Sequence, residues 1–162
     1  MEFSDWMAIY NLLHQYPQCA DKGDFEGVGK FYAHAKMGLL GGEQAQPASS
    51  EDATQWYDST VRKFSGRNTP RTRHVISNVV ITDNGFNSAK SESYVTVFQQ
   101  TDDLPLQPIV SGTYFDRFEK VDGCWRLVDR LEDMELLGEL SEHLLGDSAE
   151  MLRAHVDLQA RG

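Results

Sequence analysis

The hydrophobic pattern of this chain changes its period once, near Thr72, and that change limits the folds it can adopt. Before Thr72, apolar residues recur three and four positions apart, as on one face of an amphipathic helix. After it they alternate with polar residues, which is typical of strands with one buried face. Turn signals then divide the chain into four strands, at Asp83-Asn84-Gly85, Asp102–Pro105 and Val121-Asp122-Gly123. Helices followed by a mainly antiparallel sheet predict an α+β fold.

Three helices are expected before the change of period. The second is capped by Asp24 and runs through Tyr32, and the third opens at Ser49 and stops near Gly66. Pro17 is expected to kink or interrupt the first helix, because proline removes a backbone donor. That first helix carries apolar residues at helical spacing, namely Trp6, Ile9, Leu13, Tyr16 and Ala20.

Two further elements complete the expected organisation. A brief strand covers Lys36 to Leu40, and a leucine-rich helical tail starts at Leu136 and is broken at Gly146. A length of 162 residues with a 40% apolar share fits one hydrophobic core. We therefore expect one domain over residues 1–135 and a C-terminal helical extension over 136–162 that covers a cavity or packs on a second subunit.

The charge of the chain argues against two classes of partner. Its formal net charge of −10 disfavours binding to nucleic acid or to an anionic membrane, since either requires a dominant basic patch. One short basic cluster surrounds a predicted loop without interleaved aromatic residues, and it is interpreted as a solvated surface. Its members are Arg62, Lys63, Arg67, Arg71 and Arg73.

Cysteine usage and the N-terminus predict a location. Cys19 and Cys124 form no Cys-x-x-Cys pair and no dense pattern, so a disulfide framework is not expected and a reducing compartment fits. Met1 to Trp6 carries acid where a signal peptide would carry base, and no apolar run approaches the length of a membrane span. The expected location is cytoplasmic.

The strand after Thr72 carries the first candidate site. Alternation places His74, Ile76, Asn78 and Val80 on one face. An imidazole and an amide side by side on a mostly apolar face suit a small pocket that holds a base and a neutral hydrogen-bonding group. The alternative is a core histidine satisfied by a backbone carbonyl.

No metal and no cofactor are expected. The histidines lack metal-ligand spacing with one another, and the chain has neither a Gly-x-Gly-x-x-Gly turn for a dinucleotide nor a Gly-x-Ser-x-Gly nucleophile turn.

The order of several motifs resembles the SnoaL-like branch of the nuclear transport factor 2-like superfamily, from about Tyr10 to Arg130. The motifs are Tyr16 and Asp21, Gly23-Asp24, His74-Val75-Ile76-Ser77-Asn78, Gly112-Thr113-Tyr114-Phe115-Asp116, Asp122-Gly123-Cys124-Trp125 and Arg130. The resemblance implies a cone, in which a curved sheet wraps around three helices and leaves a ligand pocket at its open end. It implies the fold more specifically than the reaction, because this superfamily hosts several chemistries and also non-catalytic subunits.

Scytalone dehydratase, lindane dehydrochlorinase and bile-acid dehydratase are the most similar in their site, since each pairs a helix Asp with a strand His. The resemblance places these roles on Asp21 and His74, with Arg130 and Tyr16 as further catalytic residues. Two departures stand against a transfer of the reactions: Ala20 replaces a Tyr of the first enzyme, and Ser93–Val97 lacks an acid that the third one has.

These residues suit proton abstraction from an acidic C–H group. Asp21 would orient His74, Arg130 would bind an anionic oxygen or leaving group with its planar fork, and Tyr16 would donate a hydrogen bond. Substrate contacts are expected from Asn78, Tyr114 and Ile76. Arg130 could instead form a surface pair with Glu132 or Asp129, and Asp21 could bond backbone amides at a helix end.

The leading interpretation is a cofactor-independent lyase or isomerase of the dehydratase or dehydrohalogenase type, acting on a small hydrophobic metabolite. The alternatives are a non-catalytic small subunit of an aromatic-ring dioxygenase and a ligand-binding module. Aromatic and β-branched residues on both faces of Ser91–Gln99 and Ile109–Phe118 further predict a homodimer or homotrimer.

Overall fold

A computed structural model describes residues 1–47 and 49–160 of the chain. It contains the helices α1 (Phe3–Lys22), α2 (Phe25–Tyr32), α3 (Ser50–Thr60) and α4 (Ser148–Gln159), and the strands β1 (Lys36–Leu39), β2 (Thr72–Asp83), β3 (Ser88–Gln99), β4 (Gln107–Val121) and β5 (Cys124–Leu137). The order of strands in the sheet is β1-β5-β4-β3-β2. β1 runs parallel to β5 and the other neighbours are antiparallel, which confirms the α+β prediction.

The first three helices pack on the inner face of this curved sheet. Their apolar faces meet inward-facing strand residues in one core, whose fully buried members include Ile9, Leu13, Val28, Phe118 and Leu127. Burial of a side chain of this size stabilises a fold by about 1.5–3 kcal/mol. The result is the cone that the resemblance implied, with its open end beside the C-terminal half of α1.

Helix α1 is longer and more regular than the sequence predicted. It continues through Pro17 and ends at Gly23, whose left-handed φ of 72° lets its N–H bond the carbonyl oxygen of Ala20. A side chain is excluded at Gly23, since a Cβ would lie 2.3 Å from the carbonyl oxygen of Asn68. Gly23 therefore fixes the end of α1 against the loop that precedes β2.

Strand β2 contains a bulge, and the prediction that Asn78 shares the face of His74 is wrong. The register with β3 shifts between Ser77 and Val80, and Asn78 has a φ of 52°. The irregularity reverses the alternation, so that Ile81 is half-buried while Asn78 and Val80 are exposed. Asn78 thus lies outside the pocket.

Two element boundaries also differ from the predictions. α3 ends at Thr60, because the β-branched Val61 is extended and forms a bridge with Leu144. The helical tail does not start at Leu136, since β5 continues to Leu137 and α4 begins only at Ser148. Leucines at three- and four-residue spacing predict a helix from Leu136 onward, but Leu136 is exposed near the end of strand β5.

The segment between β5 and α4 closes one side of the cone. Leu140 is buried, and the backbone N–H groups of Arg62 and Leu145 bond the carbonyl oxygens of His143 and Thr60 at 2.8 Å. Helix α4 lies outside and has no buried residue. Across the described ranges, no helix is long and apolar enough to cross a membrane.

Candidate active site

Asp21 and His74 are in direct contact, as predicted. Nδ1 of His74 lies 2.6 Å from Oδ1 of Asp21, and the side chains are 6% and 7% exposed. The same carboxylate accepts the backbone N–H of His74 at 3.0 Å on Oδ2 and the Thr72 hydroxyl at 2.8 Å on Oδ1. Three donors from the start of β2 therefore fix the carboxylate at the end of α1.

This environment sets the charge of Asp21. Burial alone would raise the pKa of its carboxyl group, but the hydrogen bonds and charge of His74, with the bonds from the His74 backbone and Thr72, hold that pKa below its usual value. An ionised Asp21 keeps the Nδ1 proton of His74 in place. Nε2, which has no hydrogen-bond partner in the described part of the chain, is then free to accept a proton.

The pair borders a cavity of about 1070 Å³ at the open end of the cone. Its walls are the C-terminal half of α1, the loop 64–71, the start of β2 and the turn after β3. Ile76 lines the cavity, two positions after His74 on β2. The cavity is large enough for a small organic molecule.

Behind the pair lies a cluster of four buried tyrosines, which we call the tyrosine cluster: Tyr16, Tyr32, Tyr57 and Tyr114. The ring of Tyr16 meets that of His74 edge-on, with centroids 5.7 Å apart. Burial raises the pKa of Tyr16 to about 12, and the charge of Glu132 acts in the same direction. The Tyr16 phenol is therefore neutral near pH 7 and available as a hydrogen-bond donor.

The expected role of Arg130 as an anion-binding fork is wrong, and so is the alternative of a surface pair. Arg130 is completely buried, and its Nε and Nη2 each donate to Asp116 at 2.7 Å. Nη1 donates to the Tyr32 hydroxyl at 2.8 Å, and the guanidinium lies 4.1 Å from the ring centroid of Tyr114. Because this fork is occupied by protein groups, Arg130 holds the tyrosine cluster rather than a ligand.

Sequence reasoning missed Glu132 as a buried acid beside the tyrosine cluster. Glu132 lies opposite Tyr114 in the β4–β5 register and follows Arg130 by two positions, on the same inward face. Burial raises its pKa to about 7, with Arg130 opposing this effect and Asp116 adding to it. The two-residue spacing between Arg130 and Glu132 places both on one face of a strand, but Glu132 was predicted only as a surface partner of Arg130.

His143 is the second residue that the sequence did not reveal. It comes from the segment after β5, and its Nδ1 is buried without a hydrogen-bond partner among the described residues. Burial lowers its pKa to about 4; the nearby His74 also lowers it, while Asp21 opposes this shift. No local pattern marks His143, since chain folding brings it near residues more than 60 positions away.

The structure thus divides the predicted residues into three groups. Asp21, His74 and Ile76 lie on the cavity wall, with Tyr16 directly behind them. Tyr114 and Arg130 lie deeper, and Asn78 lies outside. Within residues 1–47 and 49–160, no group of three or more histidine, cysteine or acidic side chains could hold a metal ion.

Comparison with known proteins first defines the class. A cystatin-like protein from Nostoc punctiforme is 24% identical, covers 83% of this chain and 94% of its own, and superimposes with a TM-score of 0.65. A candidate scytalone dehydratase from Novosphingobium aromaticivorans is 19% identical, with coverages of 83% and 87% and a TM-score of 0.64. At these identities the likeness establishes an α+β fold of the nuclear transport factor 2-like, cystatin-like class.

The same fold occurs in the candidate beta subunit of an aromatic-ring-hydroxylating dioxygenase from Novosphingobium aromaticivorans, at 20% identity, coverages of 85% and 94% and a TM-score of 0.63. The chain belongs to the SnoaL-like domain family, which matches residues 1–131. No curated protein is significantly similar in sequence.

Proposed function

We propose that this protein is a cofactor-independent lyase or isomerase that abstracts a proton from a small, largely apolar molecule. The observation that carries the proposal is the 2.6 Å contact between Asp21 and Nδ1 of His74 on the wall of a cavity. A histidine so oriented presents Nε2 as a base, and the carboxylate stabilises the imidazolium that forms.

The reaction would begin when Nε2 takes a proton from a carbon of the bound molecule. The electrons of the broken C–H bond then form a new double bond, and a leaving group on the adjacent carbon departs with its own bonding pair. In an isomerisation, the proton returns to another carbon instead. Positioned proton transfer of this kind contributes about 10²–10⁴-fold in rate.

Tyr16 would support the other end of the reaction. The neutral Tyr16 phenol adjoins His74 and would donate a hydrogen bond where negative charge develops on the substrate. Glu132, which does not line the cavity, raises the pKa of Tyr16 further and so keeps its phenol protonated.

The test follows by NMR in D₂O a panel of apolar carbon acids that carry a β-hydroxyl or β-chloro group. Exchange is scored as either deuterium incorporation or loss of the β-group. His74→Ala and Asp21→Asn should each slow exchange by about 10²–10⁴-fold on any compound that the parent exchanges. The double variant should be little slower than either single variant, because the two residues act as one unit.

The matched control is His155→Ala, which removes an imidazole outside the cavity whose Nε2 lies 3.0 Å from the carbonyl oxygen of Leu40. This variant should exchange at the parent rate. Full activity in His74→Ala would eliminate His74 as the base.

One observation favours a second function, a ligand-binding module or a non-catalytic small subunit. Arg130, the only buried arginine of the described core, pairs with Asp116. It is therefore not available to bind an anionic group of a substrate. Under this alternative the cavity binds a small molecule without exchange on any compound of the panel. Saturable binding with no exchange by the parent protein would therefore support it.

A further inference from the structure

The rim of the cavity is basic, although the whole chain is strongly acidic. Lys22, Arg67, Arg71 and Arg73 all line the cavity. Among the described residues, the acidic side chains that line it are Asp21, which bonds His74, and Asp102, whose Oδ1 accepts a hydrogen bond from Nη1 of Arg71 at 2.8 Å. Against a net charge of −10 for the chain, the other three cations, which form no salt bridge among the described residues, give this opening a local positive field.

Backbone geometry and side-chain contacts hold the loop side of the rim. Arg71 and Asn68 adopt left-handed φ values of 55° and 54°, which residues with side chains rarely occupy without support. The guanidinium of Arg71 packs over the ring of Phe64 at 5.2 Å, and the Gln99 side chain donates to the carbonyl oxygen of Pro70 at 3.0 Å. These contacts set the loop that carries Arg67 beside the opening.

Lys22 reaches the rim from the opposite side. It is the last residue of α1, one position after Asp21, and the close approach of Gly23 to Asn68 joins the two walls. Arg73 precedes His74 on β2. Lys22 and Arg73 thus lie one position away from Asp21 and His74, whereas Arg67 and Arg71 come from the loop between α3 and β2.

We propose that the ligand of this cavity carries an anionic group, a carboxylate or a phosphate, on an apolar body. The apolar body lies against Ile76 and His74, and the anion lies at the rim between Arg67 and Arg73. This proposal rests on the proposed function in one respect only, the proton that His74 would take from the bound molecule. It replaces the interpretation of the basic cluster as a merely solvated surface.

The solvent exposure of the rim side chains sets how much they can change the affinity for an anion. Lys22, Arg67 and Arg73 are exposed, so each ion contact is weakened by water and by salt. An exposed pair changes affinity by about 2- to 5-fold, and two arginines together by about 5- to 20-fold. The preference for an anion should shrink at high ionic strength, since the Debye length falls to about 5–6 Å near 0.3 M salt.

The experiment uses three molecules with one aromatic body: 1-naphthylacetate, 1-naphthyl phosphate and the neutral 1-naphthylacetamide. Calorimetric titration of the parent at 20 mM and 300 mM NaCl should show at least one anion binding about 5- to 20-fold tighter than the amide at low salt. Tighter binding of the phosphate points to a phosphorylated ligand, and tighter binding of the acetate points to a carboxylate.

The variant Arg67→Gln/Arg73→Gln should remove most of this preference and leave amide binding unchanged. Its control, Lys36→Gln/Lys90→Gln, changes the net charge equally at two exposed sites outside the cavity and should alter the preference by less than about 2-fold. Equal affinity for amide and anions, an equal loss in the control, or no binding of any of the three molecules would overturn the proposal.

The anion-binding proposal and the catalytic proposal can be refuted independently of each other. His74→Ala should slow exchange by about 10²–10⁴-fold and keep the preference for the anion, because the preference is set at the rim. If the preference holds while no compound is exchanged by the parent, the anion proposal stands and the catalytic one falls.

Discussion

Arg130→Met should destabilise the fold severely, because the variant leaves a buried carboxylate without its partner. Arg130 is completely buried and makes three hydrogen bonds of 2.7–2.8 Å, two of them to Asp116. Removing one partner of a buried ion pair costs about 3–5 kcal/mol. A domain of this kind has a free energy of unfolding of only about 5–15 kcal/mol, so the loss is a large share of it.

The double variant Arg130→Met/Asp116→Leu distinguishes the contribution of the ion pair to stability from that of side-chain packing. Replacing both charges with apolar side chains removes the unpaired carboxylate, and we expect the free energy of unfolding to return to within about 2 kcal/mol of the parent. The control is Arg117→Met, which breaks an exposed pair with Glu119, 2.6 Å long with side chains 40% and 44% exposed, and should cost less than about 1 kcal/mol.

Urea unfolding followed by tryptophan fluorescence measures all four proteins. The reasoning would be refuted if Arg130→Met lost less than about 1 kcal/mol in free energy of unfolding. That result, together with a loss of activity, would return Arg130 to the ligand-binding role that the sequence suggested.

Three further predictions concern pH and assembly. Glu132 has a folded pKa of about 7, above its usual 4.5, so its ionisation lowers the stability of the fold as pH rises from about 4.5 to 7. The free energy of unfolding of Glu132→Gln, measured in urea, should therefore increase relative to the parent by about 1–3 kcal/mol between pH 5 and pH 8. A difference that does not change with pH would contradict this. His143 has the opposite sign, since its folded pKa of about 4 makes stability fall as pH drops from 6.5 to 4; His143→Gln should therefore lose less thermal stability than the parent over that range, and an equal loss in both proteins would contradict this. Val75, Tyr94 and Phe115 are exposed on β2, β3 and β4, so we expect a homodimer or homotrimer by light scattering; a single 18.3 kDa species would disprove it.

The sequence was sufficient for the elements whose pattern is local. The change of period near Thr72, the turns between strands and the caps at Asp24 and Ser49 each act within a few residues, and the structure confirms them. The contact between Asp21 and His74 was also predicted, but from the order of motifs, since the two residues lie 53 positions apart.

What the sequence could not supply depends on contacts between distant segments. The bulge in β2 is invisible to a strict alternation, so Asn78 was placed on the wrong face. Arg130 has the chemistry of an anion-binding residue, and only the cross-strand position of Asp116 shows that its fork is already filled. His143 reaches the site by chain reversal after β5, for which no local spacing exists.

Strand β2 lies at the edge of the sheet, where unpaired backbone donors invite a strand from another molecule to add. The carboxylate of Asp21 occupies one of these donors, the backbone N–H of His74, at 3.0 Å. This bond removes that donor from those with which an added strand could pair. Asp21→Asn keeps an oxygen acceptor for that N–H, whereas Asp21→Ala leaves the N–H without one, so the two variants separate the protection of this edge from the proposed catalytic role of Asp21.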